Sequence, residues 1–326
     1  MHPTQERILT HLAASGSPVS GSALAEAFGL SRTAVWKHVE AMRRAGIRIR
    51  SASGRGYLLE SDRFTAENLA ERLAIDPPAR LGRDIRCLED VDSTNLEVLR
   101  AAEAGTPEGL VVIAERQQRG RGRMGRIWHT LADDALALTV LLRPPLPPER
   151  VPQIPLVVGV ALCEAFRSLG GNVAIKWPND ILHGGAKLAG ILTEMRAEPG
   201  HVQAVAVGIG INIRHPADGW PTDIHQAVTD LGTATGGPVH RLDVAERVIR
   251  SLDASYALYL REGFAPLRER WWSAHAASEA PVRVRDGHGH VEGTAIGIDH
   301  DGALLLSVGG NTRRIVSGDL ELMGET

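Results

Sequence analysis

One short loop holds the densest positive charge of the sequence. Residues 115–128 read ERQQRGRGRMGRIW, with five arginines and three glycines against one acid. Guanidinium groups bind phosphate and carboxylate oxygens, and glycines let backbone N–H groups approach the same anion. Such a run is typical of nucleic-acid contact, but it can also hold one small anion. Apolar segments typical of strands flank it at 109–115 and 135–144, which places the loop inside a domain and favours the small anion.

The spacing of this loop excludes two common nucleotide-binding motifs. The P-loop pattern GxxxxGK[ST] is absent from it. No helix with the spacing of a Rossmann fingerprint follows its glycines. A nucleotide bound here would therefore be held by another arrangement of arginines and glycines.

A second polar cluster lies in VAIKWPNDILHGGAKLAGILTEM, residues 173–195. Two predicted strands flank a turn that a proline imposes, and the cluster comprises Lys176, Asn179, Asp180 and Lys187. Two lysines, an amide and a carboxylate within twelve residues are suited to phosphate and to metal ions. Taken alone, the stretch is more typical of an exposed hairpin with solvated lysines.

Two further motifs place polar groups beside apolar strands. DSTN, residues 92–95, ends a predicted strand and begins a helix, so it offers hydroxyl and N–H groups; an ordinary helix cap is the alternative. AVAVGIGINI, residues 204–213, has the pattern of a buried strand. Its Gly208 and Gly210 allow a ligand to approach the backbone closely, and Asn212 offers an amide at the strand end.

The N-terminal region predicts a separate DNA-binding fold. Three amphipathic helical patterns precede an alternating, glycine-interrupted run at 47–59 that is typical of a β-hairpin, and together they match a winged helix-turn-helix. The exposed face of the third helix would enter the major groove. The candidate DNA contacts are Ser31, Arg32, Thr33, Lys37 and His38 on this helix and Arg55 at the wing tip. A winged helix used for protein contacts is the alternative.

The motifs together closely resemble one family. STN, GRGRMGR, KWPND, KLAGIL and GIGIN stand in this order behind a winged helix, as in bifunctional biotin protein ligases that also repress biotin genes. The resemblance implies that biotin and MgATP form biotinyl-5′-adenylate, and that biotin then passes to one lysine of a biotin carrier domain, as on acetyl-CoA carboxylase. It also implies operator binding and a homodimer in the adenylate-bound form. A lipoate ligase of the same fold and a non-catalytic biotin-sensing repressor are the alternatives.

The resemblance implies a role for each candidate residue. Lys187 would contact the biotin carboxylate and later the adenylate, and Arg123 would hold the adenylate phosphate. The expected biotin contacts are Ser93, Thr94, Asn95, Gln117, Arg121, Gly122, Arg123, Lys187, Gly208 and Gly210. The expected ATP or adenylate contacts are Arg121, Arg123, Arg126, Trp128, Lys176, Asn179 and Asn212.

The two steps make different chemical demands. The biotin carboxylate is ionised near neutral pH, so the first step needs positive charge and Mg²⁺ to hold two anions together, and it needs no base. The second step needs a neutral lysine amine, whose free pKa is about 10.4. Asp180 is the candidate that accepts or relays this proton, with a metal-binding or structural carboxylate as the alternative. No metal ligand is assigned.

The pattern of helical and strand segments changes twice along the sequence, which predicts three domains. We expect the winged helix-turn-helix at 1–62, a catalytic domain at 63–276 and a small β domain at 277–326. The resemblance implies a multidomain α+β fold. Its centre would be a mixed sheet with helices, as in class II aminoacyl-tRNA synthetases, and its end an SH3-like β-barrel.

Composition limits the kinds of partner and the cellular compartment that can be expected. The 326 residues are 43% hydrophobic with a net charge of −3, so a large core is possible and any DNA contact is a local patch. Two cysteines without CxxC spacing argue against a disulfide framework or a zinc site. A signal-peptide pattern is lacking, and the most apolar stretch, 154–166, is too short for a membrane span. We therefore expect a cytoplasmic protein without membrane contact.

Overall fold

The chain forms two compact units, residues 1–63 and residues 64–326. The computed structural model describes residues 2–15, 19–45, 47, 49–52, 56–59, 64–130, 134–224, 226–286 and 289–323. The wing-tip candidate Arg55 and the predicted boundary between residues 62 and 63 lie outside the described residues.

The first unit is the predicted winged helix-turn-helix. It consists of helices and strands in the order α1 (Pro3–Ser15), α2 (Gly21–Phe28), α3 (Arg32–Arg44), β1 (Ile49–Ala52) and β2 (Gly56–Leu59). Strands β1 and β2 form an antiparallel hairpin. Ser20 and Ser31 cap α2 and α3, because their hydroxyl oxygens accept backbone N–H groups at 3.0 and 3.1 Å. The unit has its own apolar core, formed by Ile8, Leu12, Leu24, Val35, Val39, Met42 and Ile49.

The second unit is built on a seven-stranded mixed sheet. Its strands are β3 (Asp84–Val91), β4 (Leu110–Gln117), β5 (Ala135–Leu142), β6 (Ala174–Lys176), β7 (Asp180–His183), β8 (Ala186–Glu198) and β9 (His201–Asn212). Their order across the sheet is β3-β4-β5-β9-β8-β7-β6. Strands β3 and β4 run parallel, and the other neighbouring pairs are antiparallel. The predicted mixed sheet is confirmed.

Helices bury the sheet on both faces. The helices of this unit are α4 (Ala66–Leu73), α5 (Thr94–Glu103), α6 (Ile154–Ser168), α7 (Leu231–Thr235), α8 (Arg241–Glu262) and α9 (Ala265–Ser273). Along β4, Val111 and Ile113 belong to the large core with α6 and α8, whereas Leu110 and Val112 belong to a second cluster with α5. This alternation follows from the two-residue period of a strand and explains why the strand segments read as continuous apolar runs.

One apolar helical run has the length and composition of a membrane span. It comprises residues 148–168, that is, α6 with the 3₁₀ turn before it, and 72% of its most apolar window is buried inside the protein. Such burial is typical of a core helix.

The C-terminal strands form a five-stranded, all-antiparallel sheet. They are β10 (Pro281–Asp286), β11 (Gly289–Ile298), β12 (Leu304–Val308), β13 (Asn311–Ile315) and β14 (Asp319–Leu322), in the order β13-β12-β11-β10-β14. Val282, Ala295 and Leu304 belong to the same core cluster as the central sheet. This shared core explains why the C-terminal sheet and the central sheet form one compact unit.

Candidate functional site

One cavity of about 850 Å³ in the second unit gathers the candidate residues. The start of α5, the loop after β4, the β6–β8 hairpins and β9 all contribute to its wall. Every predicted biotin, nucleotide and catalytic residue lines it: Ser93, Thr94, Asn95, Gln117, Arg121, Gly122, Arg123, Arg126, Trp128, Lys176, Asn179, Asp180, Lys187, Gly208, Gly210 and Asn212. The fold therefore brings together residues from four separate motifs, while their contacts with ligands stay a prediction.

One end of the cavity is polar and uncharged. Thr94 donates its backbone N–H to Gln117 Oε1 at 2.9 Å, and Gln117 Nε2 donates to Thr130 Oγ1 at 2.9 Å. Thr139 Oγ1 lies 2.7 Å from Thr94 Oγ1 and 2.8 Å from Asn95 Oδ1. Ser93 is the N-cap residue before α5 but makes no side-chain capping bond, so its hydroxyl is not used by the helix. Fixed amide and hydroxyl groups of this kind suit a neutral, hydrogen-bonding ligand group.

A flat wall follows from two glycines of β9. A Cβ on Gly210 would lie 2.2 Å from the Trp128 ring, and a Cβ on Gly208 would lie 2.2 Å from Asn95 Oδ1. Trp128 and Asn95 therefore occupy the space that larger residues in β9 would need. Lys187 Nζ lies 5.9 Å from the centroid of the Trp128 ring, within reach of a cation–π contact.

The basic loop folds back on itself beside this wall. Gly122 donates its N–H to the Arg126 carbonyl at 2.8 Å, and Trp128 donates its N–H to the Gly120 carbonyl at 3.0 Å. Between these bonds a 3₁₀ turn spans Arg123–Gly125, with Met124 at φ 55°. This left-handed conformation is uncommon for a residue with a Cβ, and it marks the loop as a tightly constrained turn.

The other end of the cavity is cationic. Lys187 Nζ lies 2.9 Å from Asp180 Oδ1, and Lys176 Nζ lies 3.7 Å from Asp180 Oδ2. Asp180 is buried, so its carboxylate is shared between two ammonium groups in a poorly hydrated place. Two lysines held by one carboxylate leave a net positive charge of about one on this cluster at neutral pH.

Two arginines of the loop add to this charge and reach the C-terminal sheet. Arg123 donates to Asn179 Oδ1 at 3.0 Å, and Asn179 Nδ2 donates to the Ile191 carbonyl at 2.8 Å. Arg126 forms an ion pair with Asp319 at the start of β14, whose carboxylate also lies 4.0 Å from Arg123. The C-terminal sheet therefore contributes to the position of both guanidinium groups.

The first unit presents a polar helix face of its own. Ser31, Arg32, Thr33 and Lys37 are exposed on α3, and His38 is half-buried. Val35 and Val39 on the opposite side are fully buried in the core of the unit. The predicted division of α3 into a buried stripe and an exposed basic and polar face is confirmed.

Comparisons with known proteins agree with this arrangement. Residues 4–58 match a helix-turn-helix domain, residues 88–212 the Biotin/lipoate A/B protein ligase family, and residues 278–323 the Biotin protein ligase C terminal domain. The Bifunctional ligase/repressor BirA of Bacillus subtilis (strain 168) is 34% identical over 305 residues, covering 93% of this chain and 94% of that protein. The chain belongs to the biotin protein ligase family.

Two further comparisons are with a relative that aligns across both units and with a solved structure. The Bifunctional ligase/repressor BirA of Escherichia coli (strain K12) is 33% identical over 322 residues, covering 96% of each protein. The solved biotin protein ligase from Aquifex aeolicus in complex with biotin and ATP is 26% identical with a TM-score of 0.64. That alignment covers 74% of this chain and all of the Aquifex chain.

The fold of this family member adds residues that the motifs did not indicate. Thr139, Glu194 and Asp319 bind predicted site residues through their side chains. A connecting segment also lines the cavity through residues 220, 221, 223, 224, 226 and 228, and its Asp223 pairs with His129 at 3.0 Å. On α3, Trp36 is 52% exposed. The cavity residues of this set carry no local signal, because each becomes relevant only through its contact with a distant part of the chain.

Thiol chemistry has no part in the site of this biotin protein ligase family member. Burial raises the pKa of Cys87 to about 11 and that of Cys163 to about 12. Both side chains pack in the large apolar core. They therefore stay protonated at neutral pH, as small apolar residues.

Proposed function

We propose that this protein is an ATP-dependent biotin protein ligase. It activates biotin as biotinyl-5′-adenylate and transfers the acyl group to one lysine of a biotin carboxyl carrier domain. The proposal rests on one cavity. Uncharged polar groups line one end, cationic groups line the other, and the wall of Trp128 and Asn95 borders both. Biotin has the same arrangement: a hydrogen-bonding ureido ring, an apolar middle and a terminal carboxylate.

In the first step the protein supplies position and charge. Ser93, Thr94 and Gln117 bind the ureido ring, and the wall that Trp128 and Asn95 form over Gly210 and Gly208 borders the apolar part of biotin. The carboxylate then points toward Lys187, where the α-phosphate of ATP is also held. Placing two anions together against fixed cations lowers the barrier without any proton transfer.

The nucleotide lies toward the C-terminal sheet in this proposal. Arg123, Arg126 and Lys176 bind its phosphates, and Trp128, Asn179 and Asn212 border the adenylate. Arg121 and Gly122 approach from the loop. In the structure Arg123 is held by the neutral Asn179 amide, so it can turn to a phosphate at small electrostatic cost.

Asp180 acts mainly by positioning Lys176 and Lys187 in this proposal. Its two carboxylate oxygens each already pair with an ammonium group, so an incoming amine would have to displace one of these partners. A structural role for Asp180 fits this pairing better than the relay of a proton from the carrier lysine.

In this proposal Mg²⁺ binds only together with ATP. The acidic residues that line the cavity are each paired: Asp180 with Lys187, Asp223 with His129, Asp319 with Arg126 and Glu321 with Arg285. The chain therefore offers no ready carboxylate for the ion among the described lining residues. This pairing fits a metal held chiefly by phosphate oxygens and water, so no protein ligand is assigned.

One assay tests substrate, cofactor and reaction together. Incubation with ATP, biotin and a biotin carrier domain, followed by an avidin blot, should label the carrier, and Lys187→Ala should abolish the label. A folded protein that gives no labelled carrier would favour the non-catalytic sensor. Exchange of pyrophosphate into ATP with lipoate but not with biotin would favour the lipoate ligase.

A second role as a biotin-responsive repressor rests on a different observation. The exposed face of α3 is polar and basic, in a unit with a complete core of its own. We infer that the adenylate-bound protein forms a homodimer whose two winged helices read a palindromic operator in the cytoplasm. Fluorescence anisotropy on a biotin-gene promoter, with and without biotin and ATP, tests this coupling, and an unchanged DNA affinity would refute it.

A further inference from the structure

Glu194 connects the basic loop with the polar end of the cavity. It lies on β8, where one carboxylate oxygen accepts from Asn95 Nδ2 at 2.8 Å and the other lies 3.0 Å from Arg121 NH1. Asn95 and Arg121 both line the cavity. One half-buried carboxylate therefore bridges two regions of the site that the chain supplies from separate motifs.

The Asn95 side of this bridge is rigid. Asn95 is buried, its Nδ2 also lies 3.2 Å from the Leu192 carbonyl, and its Oδ1 lies 2.8 Å from Thr139 Oγ1. A Cβ on Gly208 would meet Asn95 Oδ1 at 2.2 Å, so the amide fills the space that the glycine leaves. An acceptor bonded to this amide is therefore held at a defined position.

The hydrogen bonds continue from Asn95 to the residue expected to bind the ureido ring. Thr139 Oγ1 lies between Asn95 Oδ1 and Thr94 Oγ1, at 2.8 and 2.7 Å. A continuous set of polar contacts thus runs from Thr94 through Thr139, Asn95 and Glu194 to Arg121. Buried hydrogen-bond networks of this kind transmit position, because each member is fixed by its neighbours.

The Arg121 side of the bridge is adjustable. The Arg121 side chain is 46% exposed, so the ion pair adds little to the stability of the fold. A carboxylate close to a site for two anions is also unfavourable for binding unless a cation compensates it. The effect of the ion pair is therefore best explained as control over where the loop lies.

We propose that Glu194 is a positioning residue that holds the basic loop, residues 119–126, over the cavity before any ligand binds. Asn95 fixes Glu194, and Glu194 fixes Arg121. That the cavity ligand is biotin rests on the proposed function. Glu194 itself does not touch the reacting atoms.

Glu194→Gln tests the proposal, because glutamine keeps an acceptor for Asn95 and loses the charge that binds Arg121. Trypsin cuts after arginine and reports how open the loop is. We expect the ligand-free variant to be cleaved within residues 119–126 roughly three to five times faster than wild type. We also expect the KM for biotin to rise roughly fivefold while kcat changes less than twofold, since an exposed ion pair is worth at most a few-fold.

Two further variants separate positioning from a general loss of structure. Glu103→Gln removes another ion pair of β8, that of Arg196 with Glu103 at 3.3 Å, and should leave loop cleavage and KM unchanged. Arg196→Gln, which removes the same pair from the other side, should likewise leave both unchanged. Equal melting temperatures for wild type and Glu194→Gln would show that the fold is intact.

The outcomes distinguish this inference from the proposed function. Wild-type cleavage rates in ligand-free Glu194→Gln would overturn the role of Glu194. A wild-type protein that labels no carrier would refute the proposed function instead. The ligand-free cleavage comparison would still decide whether Glu194 holds the loop.

Discussion

At the scale of single residues, the shape of the cavity depends on two glycines of β9, which have no side chain. The Trp128 ring occupies the position that a Cβ on Gly210 would take, and Asn95 occupies the corresponding position at Gly208. Trp128 has the larger consequence, because its ring lies against the β9 backbone at Gly210 and its centroid is 5.9 Å from Lys187 Nζ. A methyl group at Gly210 cannot be accommodated unless the indole moves.

Gly210→Ala should therefore weaken biotin binding. The added Cβ would lie 2.2 to 2.7 Å from three atoms of the Trp128 ring, so the ring must leave the wall. We expect the KM for biotin to rise at least about tenfold, the equivalent of about 1.4 kcal/mol, as measured by carrier labelling. Gly237→Ala is the matched control, because a Cβ there meets nothing within 4 Å. Equal KM values for the two variants would show that the Trp128 wall does not bind biotin.

Arg123→Gly should release the reactive adenylate. Its guanidinium, held by Asn179 and bordered by Asp319, is the loop cation proposed to hold the adenylate phosphate. Without it, we expect biotin to appear on lysines of bystander proteins as well as on the carrier, detected by avidin blotting of a mixture with serum albumin. Labelling that stays confined to the carrier would contradict this role, and Arg116→Gly, which loses an exposed ion pair with Asp90, is the control.

The motifs predicted the residues that line the cavity because loops rich in glycine, lysine and arginine have recognisable local chemistry. Glu194 could not be predicted in this way, since an acid inside a strand reads as an ordinary exposed position. Asp319 belongs to another sheet, and only the fold shows that it meets Arg126. The residues missed are those that act through long-range contacts.

At the scale of secondary structure, the short strand β6 needs support from outside the sheet. Ile175 donates its N–H to the Ala274 carbonyl at 2.7 Å, and its own carbonyl accepts the N–H of Ala276 at 2.8 Å. The same carbonyl lies 2.8 Å from His275 Nδ1, which must therefore carry its proton there. These contacts after α9 fix the strand that delivers Lys176 to the cavity.

His275 should make the stability of the protein depend on pH. Burial lowers its pKa to about 4, whereas an unfolded histidine titrates near 6.5. Because the folded pKa is depressed, the stabilisation is complete above about pH 6.5 and is lost as the pH falls toward 4. From pH 7 to pH 5 this group should cost about 2 kcal/mol of the free energy of unfolding, measured by urea titration.

His275→Asn isolates this contribution. Asparagine can present an amide N–H near the position of Nδ1 and does not titrate, so the bond to Ile175 can persist. The variant should lose about 2 kcal/mol less stability than wild type between pH 7 and pH 5. An identical pH dependence in both proteins would exclude His275 as the source.

The strands themselves were predictable, and their order was not. The runs at 109–115 and 204–213 are apolar because both faces of the sheet are covered, so β4 and β9 appear in the sequence as uninterrupted patterns. The pairing of β5 with β9 joins segments far apart in the chain. Such a pairing depends on tertiary packing, which no local pattern encodes.

At the scale of the whole molecule, the proposed functions lie in different units. The cavity lining comes entirely from residues 64–326, and α3, the helix proposed to contact DNA, belongs to residues 1–63. With a net charge of −3, the chain has no general attraction for DNA. Operator binding in this proposal therefore depends on local cations such as those exposed on α3.

Lys37→Ala should reduce operator affinity and leave catalysis unchanged. Lys37 is exposed on α3, so its replacement removes one phosphate-binding ammonium group per subunit and leaves the core of the unit intact. The slope of log affinity against log salt should fall by about one for each ammonium group removed from the DNA, and carrier labelling should remain at the wild-type rate. Glu40→Ala on the same helix is the control, because removal of an acid should not weaken binding to DNA. If Lys37→Ala bound the operator with the wild-type salt slope, α3 would not be the DNA-reading helix, and the winged helix would serve protein contacts instead.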